Sequence, residues 1–363
     1  MARSNWFIKP FLLTLLLSGL SAVSSFAEIV WLQKTYDFGL MKEEAGPKKG
    51  EVKFTNRGSS PVVVTGARPS CGCTSVDYSQ EPVLPGDTAV ISFTYDPAGR
   101  PGKFDKSIRV YIGENDSYKI GITGNVLGTP ESLTQFYPYE NGAMRLSDVH
   151  INAGEMTSGT SRNFFIRSYN QTLDSISPSW ECKDPALTIS CSEKKIGPGE
   201  IAVFALFFDA GKVKEIGDVE IPFTVISNIA TENSPRQEVV FSAKVLPDFS
   251  RLSPEQVDNG PRCYPIPEKT DLGILSGEST KALSFLIQNQ GKGKLTVFRI
   301  SPQSDAISVK RKPSEIKASK AGEARLSIIL KKLPAGPFNI PVEIFTNDPL
   351  HPVRTISIVG IKE

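Results

Sequence analysis

The sequence is poor in the residues on which many enzyme sites depend. Its 363 residues include 2 histidines and 5 cysteines. So few histidines leave little material for a zinc site or a Ser-His-Asp triad. The sequence also has no glycine-rich phosphate loop and no dinucleotide fingerprint. We therefore expect no catalytic residue and no cofactor, and we interpret the chain as a protein that is not an enzyme.

Charge and hydropathy exclude two further classes. The 41 Lys and Arg residues are interspersed with 39 Asp and Glu, which leaves a net charge of +2. No basic stripe for nucleic acid results from this mixture. After Ala27 no apolar run approaches the roughly 20 residues that a membrane-spanning helix needs. We expect neither a nucleic-acid partner nor a membrane span in the mature chain.

The first residues carry an export signal. Arg3 and Lys9 form a positive region, and a short apolar stretch runs from Phe11 to Leu20. Small residues at Ser25 and Ala27 suit a cleavage site. The pattern predicts a signal peptide over residues 1–27, because the apolar stretch is shorter than a transmembrane anchor requires. We expect a periplasmic or secreted protein of the cell envelope.

What the sequence does contain is a pattern that recurs three times. An early glycine, an asparagine and a later glycine follow one another, with gaps of 17, 16 and 16 residues and then 30, 29 and 33. The three sets are Gly39, Asn56, Gly86; Gly154, Asn170, Gly199; and Gly273, Asn289, Gly322. Repetition on this scale predicts three domains, at residues 28–127, 133–246 and 255–363, joined by short proline-bearing linkers.

Short alternating runs predict that each domain is made of β-strands. In Ala89 to Tyr95, residues Ile91, Phe93 and Tyr95 lie on one face. Comparable runs close each domain, around Ile120, Phe241 and Ile358. Alternation bounded by Gly, Pro, Asn and Asp is typical of antiparallel sheets with one wet face. A Pro-Gly pair reverses the chain between strands, and the asparagine caps a turn. The fold class is all-β, with three tandem β-sandwich domains.

Several spaced motifs in the first domain carry a family resemblance. They are Tyr36–Gly39, Phe54–Gly58, Ser70-Cys71-Gly72-Cys73-Thr74, Pro85-Gly86 and Tyr95–Pro97. Together they resemble a bacterial family labelled domain of unknown function fifteen seventy-three, common in exported Bacteroidetes proteins. The resemblance covers about residues 30 to 127 and implies an immunoglobulin-like fold with hydin-type relatives. The third domain shares the closing motif at residues 346–349 but lacks Cys-Gly-Cys. The family implies export and no settled activity.

Cys71-Gly72-Cys73 is the short motif with chemical potential. Residues two apart share a face of a strand, about 6.5 Å apart at Cα, which is the upper edge of disulfide range. Three interpretations stay open. The pair is structural, packed or joined in a tight disulfide across Gly72; or it is a redox dithiol near Arg68; or its thiolates form a candidate metal site for Cu(I).

The other cysteines suggest covalent structure. A hairpin would bring Cys182 and Cys191 together, and an exported chain permits the disulfide that we predict between them. Cys263 is then the odd one, either a free thiol or the partner of a cysteine elsewhere.

Two short motifs resemble the O-glycosylation acceptor of exported Bacteroidetes proteins, an Asp followed by Ser or Thr and an apolar residue. They place candidate sites at Thr88 and Ser175. Chance is the competing explanation for so short a motif.

These observations favour a non-enzymatic exported protein that binds a protein or glycan partner through strand edges and interdomain grooves. The alternative is a thiol redox or Cu(I)-handling protein that acts through Cys71 and Cys73. A third interpretation, a hydrolase with carboxylates at a domain interface, has no paired carboxylates to rest on.

Overall fold

The computed structural model describes residues 28–114, 116–228, 234–277 and 279–363. The predicted signal peptide at residues 1–27 lies outside these ranges. Strands are the dominant regular structure of the described residues, which also form two short α-helices. None of the helices in these ranges has the length and apolar character needed to span a membrane.

The first sandwich is built from two four-stranded sheets, ordered β1-β3-β6-β5 and β2-β8-β7-β4. A 3₁₀ turn, Glu43–Ala45, follows β2. The strands are β1 (Ile29–Trp31), β2 (Thr35–Lys42), β3 (Lys48–Asn56), β4 (Val64–Pro69), β5 (Thr74–Tyr78), β6 (Thr88–Tyr95), β7 (Gly102–Ile112) and β8 (Asp116–Leu127).

Aromatic rings fill the space between these two sheets. The alternation on β6 buries Ile91, Phe93 and Tyr95, as the sequence predicts. The ring of Tyr95 stacks on Phe104 of the facing sheet, with 3.9 Å between their centroids. Ring pairs of this kind add about 0.5–1.5 kcal/mol to the free energy gained by burying their area.

The second sandwich has sheets ordered β14-β15-β12-β10-β9 and β11-β17-β16-β13. A short helix, α1 (Pro130–Phe136), precedes it, with Thr129 as the N-cap. The strands are β9 (Tyr139–Asn141), β10 (Met144–Leu146), β11 (His150–Thr157), β12 (Ser161–Asn170), β13 (Ser179–Glu181), β14 (Leu187–Cys191), β15 (Ile201–Asp209), β16 (Gly217–Ile226) and β17 (Arg236–Leu246).

The third sandwich has sheets ordered β18-β20-β24-β22 and β19-β26-β25-β21-β23. The helix α2 (Pro254–Asp258) precedes it and begins with a capping box at Ser253 and Gln256. A 3₁₀ turn, Leu330–Lys332, follows β24. The strands are β18 (Cys263–Ile266), β19 (Lys269–Leu275), β20 (Thr280–Asn289), β21 (Leu295–Pro302), β22 (Ile307–Arg311), β23 (Glu315–Ile316), β24 (Ala321–Ile329), β25 (Gly336–Thr346) and β26 (Val353–Lys362).

The predicted fold class, all-β with three immunoglobulin-like sandwiches in tandem, is confirmed. Each sandwich draws its two sheets from one continuous stretch of chain. The chain divides into two compact units. The first holds the described residues through Gly39 with Gly46–Pro97 and Phe104–Gly124; the second holds Leu40–Ala45, Ala98–Lys103 and Asn125–Glu363.

The recurring asparagine is the hub of a buried turn. In the second sandwich the side-chain amide of Asn170 donates to the carbonyls of Asp174 (2.7 Å) and Ile196 (2.9 Å). Its Oδ1 accepts from the Thr172 amide and hydroxyl, at 2.9 and 2.7 Å. Asn56 and Asn289 make equivalent bonds, and all three residues are buried. The predicted turn cap is confirmed, and it also ties two loops together.

The early glycine of the pattern marks a bulge in the first strand of one sheet. Gly154 has a φ of 67° and Gly273 a φ of 68°, and the strand register shifts at both positions. The Gly154 amide donates to Asn152 Oδ1 at 2.8 Å, and the Gly273 amide donates to Asp271 Oδ1 at 2.9 Å. Glycine is needed there because the left-handed conformation costs other residues about 1–2 kcal/mol.

The later glycine of the sequence pattern does not have the same structural position in all three domains. Gly322 of the third domain does not occupy the position of Gly86 and Gly199. Gly86 and Gly199 donate their amides to the carbonyls of Asn56 and Asn170, but in the third sandwich that donor is Ser319, at 2.9 Å from Asn289. Ser319 is the one non-glycine residue in the described ranges with a positive φ, 57°. Gly322 serves packing instead, because a Cβ there would lie 2.7 Å from Pro313 Cβ.

Replacing Ser319 by glycine is expected to stabilise the third sandwich by about 0.5–1 kcal/mol. The substitution removes a left-handed penalty of about 1–2 kcal/mol, and the entropy of glycine offsets about half of the gain. Urea unfolding monitored by hydrogen exchange of β20 and β24 measures the difference. Ala318→Gly is the matched control at negative φ and should lose stability. Equal losses in the two variants would contradict the prediction.

Candidate functional site

The Cys-Gly-Cys turn carries the chain from one sheet of the first sandwich to the other. It connects β4 in one sheet with β5 in the facing sheet. Cys71 and Cys73 are joined by a disulfide, with their Cα atoms 5.3 Å apart. Cys71 is half-buried and Cys73 is buried, and the Asp96 amide donates to the Cys73 carbonyl at 2.8 Å. The turn is thus fixed both covalently and by the backbone of the facing sheet.

The disulfide limits the chemistry that this motif can perform. A thiolate is the form of cysteine that attacks and that binds a soft metal. With the two sulfur atoms joined, neither is a thiolate in this state. In the described ranges no cluster of three or more His, Cys, Asp or Glu residues is placed to hold a metal ion.

Cys182 and Cys191 are not brought together. Both are free thiols, and the disulfide predicted between them is not formed. The reason is that β13 and β14 do not pair as a hairpin but join opposite sheets. Cys182 Sγ lies 3.7 Å from the Leu187 carbonyl at the start of β14, and Cys191 ends that strand. Four residues of strand span about 13 Å, well beyond the Cα separation of about 7 Å that a disulfide tolerates.

Cys263 is a buried free thiol of the third sandwich. Burial, and then the charge of Asp348, raise the pKa of this thiol to about 12. Asp348 is itself fully buried, and its carboxylate accepts from the Cys263 amide at 2.9 Å and the Leu350 amide at 3.0 Å. Cys263 therefore contributes to packing, and its thiol has little nucleophilic character at neutral pH.

The two candidate glycosylation residues lie at the surface. Thr88 begins β6 with its side chain exposed and its hydroxyl 2.9 Å from that of Thr55. Ser175 is exposed in the loop before β13. His150 and His351 are exposed as well. Accessibility is necessary for modification, and glycosylation of Thr88 and Ser175 stays a prediction.

A groove of about 990 Å³ lies where the second and third sandwiches meet within the second unit. Strands β11, β16 and β17 form one wall, and β21 with its following loop forms the other. Its size is that of a binding cleft for an extended segment or a small ligand.

Lys244, which lines this groove, forms a half-buried ion pair with Glu343 of the third sandwich. Lys244 Nζ donates to both carboxylate oxygens of Glu343, at 2.6 and 2.8 Å. The two side chains are 26 % and 17 % exposed. Burial opposes the charge of Lys244, but the hydrogen bond and the charge of Glu343, helped by Asp218 and Glu155, give a net raised pKa. The lysine therefore stays charged throughout the physiological range.

Asp218 binds the third sandwich through its side chain and its backbone. Its carboxylate accepts from Ser301 Oγ at 2.5 Å and from Gln303 Nε2 at 3.2 Å. Its carbonyl accepts from Arg299 Nη1 at 2.6 Å. The preceding Gly217 has a φ of 123°, and a Cβ there would meet Arg299 Cδ at 2.7 Å. This close approach fixes the two walls of the groove with respect to each other.

The rim of the groove is mainly acidic. Lys244 and Arg299 are already bonded to the opposite wall, so that among the described residues of the lining Lys214 is the cation without such a bond. The acidic residues of the lining are Glu155, Asp184, Glu215, Asp218, Glu220 and Asp305. A cleft with an excess of one sign of charge attracts segments of the opposite sign.

Comparison with known families gives one match. Residues 29–126 match the model of a family described as protein of unknown function (DUF1573). The first sandwich belongs to DUF1573. This agrees with the motifs around Cys71, and the predicted family is confirmed for that part of the chain. No curated protein matches the sequence.

Several solved structures are distantly similar to this chain. A protein of unknown function from Porphyromonas gingivalis W83 is 16% identical, with 61% of this chain and 100% of that chain covered and a TM-score of 0.47. The E. coli chaperone DraB is 11% identical, with 61% and 96% covered and a TM-score of 0.25. The human desmocollin-1 ectodomain is 12% identical, with 93% and 61% covered and a TM-score of 0.20. Likenesses this distant carry no information about function.

Sequence reasoning found the DUF1573 turn and predicted interdomain grooves, but it did not identify the residues that form this one. Lys244 and Glu343 are 99 positions apart and lie in different sandwiches. Each occupies a polar position of an alternating strand, where the sequence predicts only contact with solvent. A Gly-Asp pair at the start of β16 was the one local signal, because glycine in a strand often marks a close backbone approach.

Proposed function

We propose that the protein is a non-enzymatic, exported interaction protein of the cell envelope. Its groove between the second and third sandwiches binds an extended, positively charged segment of a protein partner. The observation that carries this proposal is a preformed cleft of about 990 Å³ with six carboxylates on its rim. The half-buried Lys244–Glu343 pair and the Asp218 bonds fix the two walls of the cleft, which lowers the entropy cost of binding.

The three predicted domains, at residues 28–127, 133–246 and 255–363, are part of the proposal. In this scheme the second and third domains act as one binding body. The first, the DUF1573 domain, is a separate unit. The proposed export fits the scheme, because a signal peptide at residues 1–27 would direct the mature chain to the cell envelope, where protein partners are accessible.

Removing three rim carboxylates tests the groove. Glu155, Glu215 and Glu220 are exposed and form none of the ion pairs found in the described ranges. Glu155→Gln, Glu215→Gln and Glu220→Gln together should weaken binding of a fluorescent Lys-Ser dodecapeptide about tenfold at low salt, since three screened contacts of about 0.5 kcal/mol each approach 1.4 kcal/mol.

The matched control removes the same charge from the DUF1573 domain. Glu81→Gln, Asp105→Asn and Glu114→Gln alter exposed carboxylates in the first unit. This variant should bind the peptide within about twofold of the wild-type chain, because none of these three carboxylates lines the groove. If both variants bound the peptide equally weakly, the effect would come from the net charge of the chain and not from the groove. Binding of neutral glycans with no peptide binding would favour the glycan partner instead.

The thiol redox or Cu(I) alternative gains no support. Cys71 and Cys73 are joined, and Cys73 is only 5% exposed. Titration of thiols in the native protein would revive the alternative if both sulfur atoms were found reduced and accessible.

A further inference from the structure

Two arginines face each other on the outer surface of the DUF1573 domain. Strands β4 and β7 are neighbours in one sheet, and their register places Arg68 directly opposite Arg109. Both side chains are exposed. Residues in this relation have Cβ atoms about 5 Å apart, and like charges so placed destabilise a sheet. The arrangement therefore costs the fold some stability.

Neither guanidinium has a partner that offsets this repulsion. In the described ranges neither guanidinium takes part in an ion pair or a side-chain hydrogen bond. The contact that Arg68 does make is with Tyr111, whose ring centroid lies 5.9 Å from its Cζ. That ring orients the guanidinium plane without neutralising its charge.

Hydroxyl groups occupy the next position along the same two strands. Ser70 faces Ser107: the Ser70 amide donates to the Ser107 carbonyl at 2.8 Å, and the Ser107 amide donates to Ser70 Oγ at 3.0 Å. Ser70 Oγ accepts in that bond, so its own proton is available to a ligand. Residues two apart share a face, which puts these hydroxyls beside the arginines. The Cys71–Cys73 disulfide begins at the next residue and fixes this end of the strand.

We propose that Arg68, Arg109, Ser70 and Ser107 form a binding site for a tetrahedral oxyanion, a phosphate or sulfate group. Guanidinium forks match such groups in a bidentate manner, and bonds between charged partners are about twice as strong as neutral ones. A bound oxyanion would turn the repulsion between the arginines into a shared attraction. The same chemistry occurs in the free anion, in a sugar ester and in a lipid headgroup, and the test separates these sources. The site lies in the first unit, so it is independent of the groove proposed above.

Calorimetry on the full chain at low ionic strength tests the site with inorganic phosphate and sulfate. Arg68→Gln with Arg109→Gln should weaken binding at least tenfold. The control, Lys49→Gln with Arg57→Gln, removes two exposed positive charges from the same domain and should stay within twofold. Further arms use glucose 6-phosphate, glucose 6-sulfate, and phosphatidylglycerol vesicles against phosphatidylcholine vesicles. The strongest arm identifies the source.

Thermal unfolding gives a second readout that does not depend on affinity alone. Without anions, Arg68→Gln should raise the Tm of the first sandwich, because it removes the repulsion. Phosphate should raise the Tm of the wild-type chain and leave that of the double variant unchanged, since a ligand stabilises only the state that binds it. Absence of anion binding by the wild-type chain, or equal weakening in the double variant and its control, would overturn the proposal.

Discussion

Replacing Asn170 by alanine is expected to destabilise the second sandwich by about 3–5 kcal/mol, since each buried polar group left without a partner costs about 1–3 kcal/mol. The substitution removes the bonds to Asp174, Ile196 and Thr172 at once. Because Asn170 is fully buried, water cannot take over these bonds. The loop before β13 and the turn after Ile196 would lose their common anchor.

A urea series with pulse-labelling hydrogen exchange and mass spectrometry measures this loss in peptides of residues 139–246. Several domains do not unfold as one two-state system, so each sandwich needs its own probe. Asn163→Ala is the matched control, because Asn163 lies on the same strand with its side chain exposed. It should change stability by less than about 0.5 kcal/mol. Similar losses in the two variants would refute the buried hub.

Replacing Lys244 by methionine is expected to destabilise the contact between the second and third sandwiches by about 2 kcal/mol. The substitution leaves Glu343 largely buried without its cation, and breaking a buried pair costs about 3–5 kcal/mol, less where water reaches it. A double-mutant cycle that combines this substitution with Glu343→Leu measures the interaction energy of the pair. Each single variant should lose more than the double variant, in which no charge is left without its partner.

The same ion pair predicts a dependence on alkaline pH. The pKa of Lys244 is raised in the folded state by Glu343, against the effect of burial. The resulting stabilisation is fully present below the unfolded pKa of about 10.4 and is lost as pH rises through the folded value. The difference in stability between the wild-type chain and Lys244→Met should be constant near neutral pH and shrink above about pH 10. A difference that stays constant up to about pH 11 would contradict this prediction.

The threefold repeat shows which structural positions the spacing of residues in a sequence can predict. The asparagines were found because a buried amide that ties two loops must keep its distance from both, and this requirement leaves a nearly constant gap in each domain. The third glycine was misassigned because the left-handed position is filled there by Ser319, 30 residues after Asn289, as in the first domain. The distance from the asparagine therefore predicts the left-handed position correctly, whereas the expectation of a glycine there does not.

The cysteines show where spacing fails. Cys71 and Cys73 are joined across Gly72, one of the interpretations left open by their positions. Cys182 and Cys191 are close in sequence yet belong to segments that enter opposite sheets. A local pattern cannot distinguish a hairpin from a crossing between sheets, because the choice depends on which distant strands offer their edges.

The sequence by itself determined the strands and the three sandwiches, because alternation, turn residues and spacing are local properties of the chain. The motifs around Cys71 also carried the resemblance to DUF1573, whose model matches residues 29–126. Tertiary structure alone decided the groove with its Lys244–Glu343 pair and the facing pair Arg68 and Arg109. Both depend on register between segments that are far apart in the chain. Sheet register is set by the burial of whole faces, so the polar residues that it brings together on the outside leave no pattern of their own.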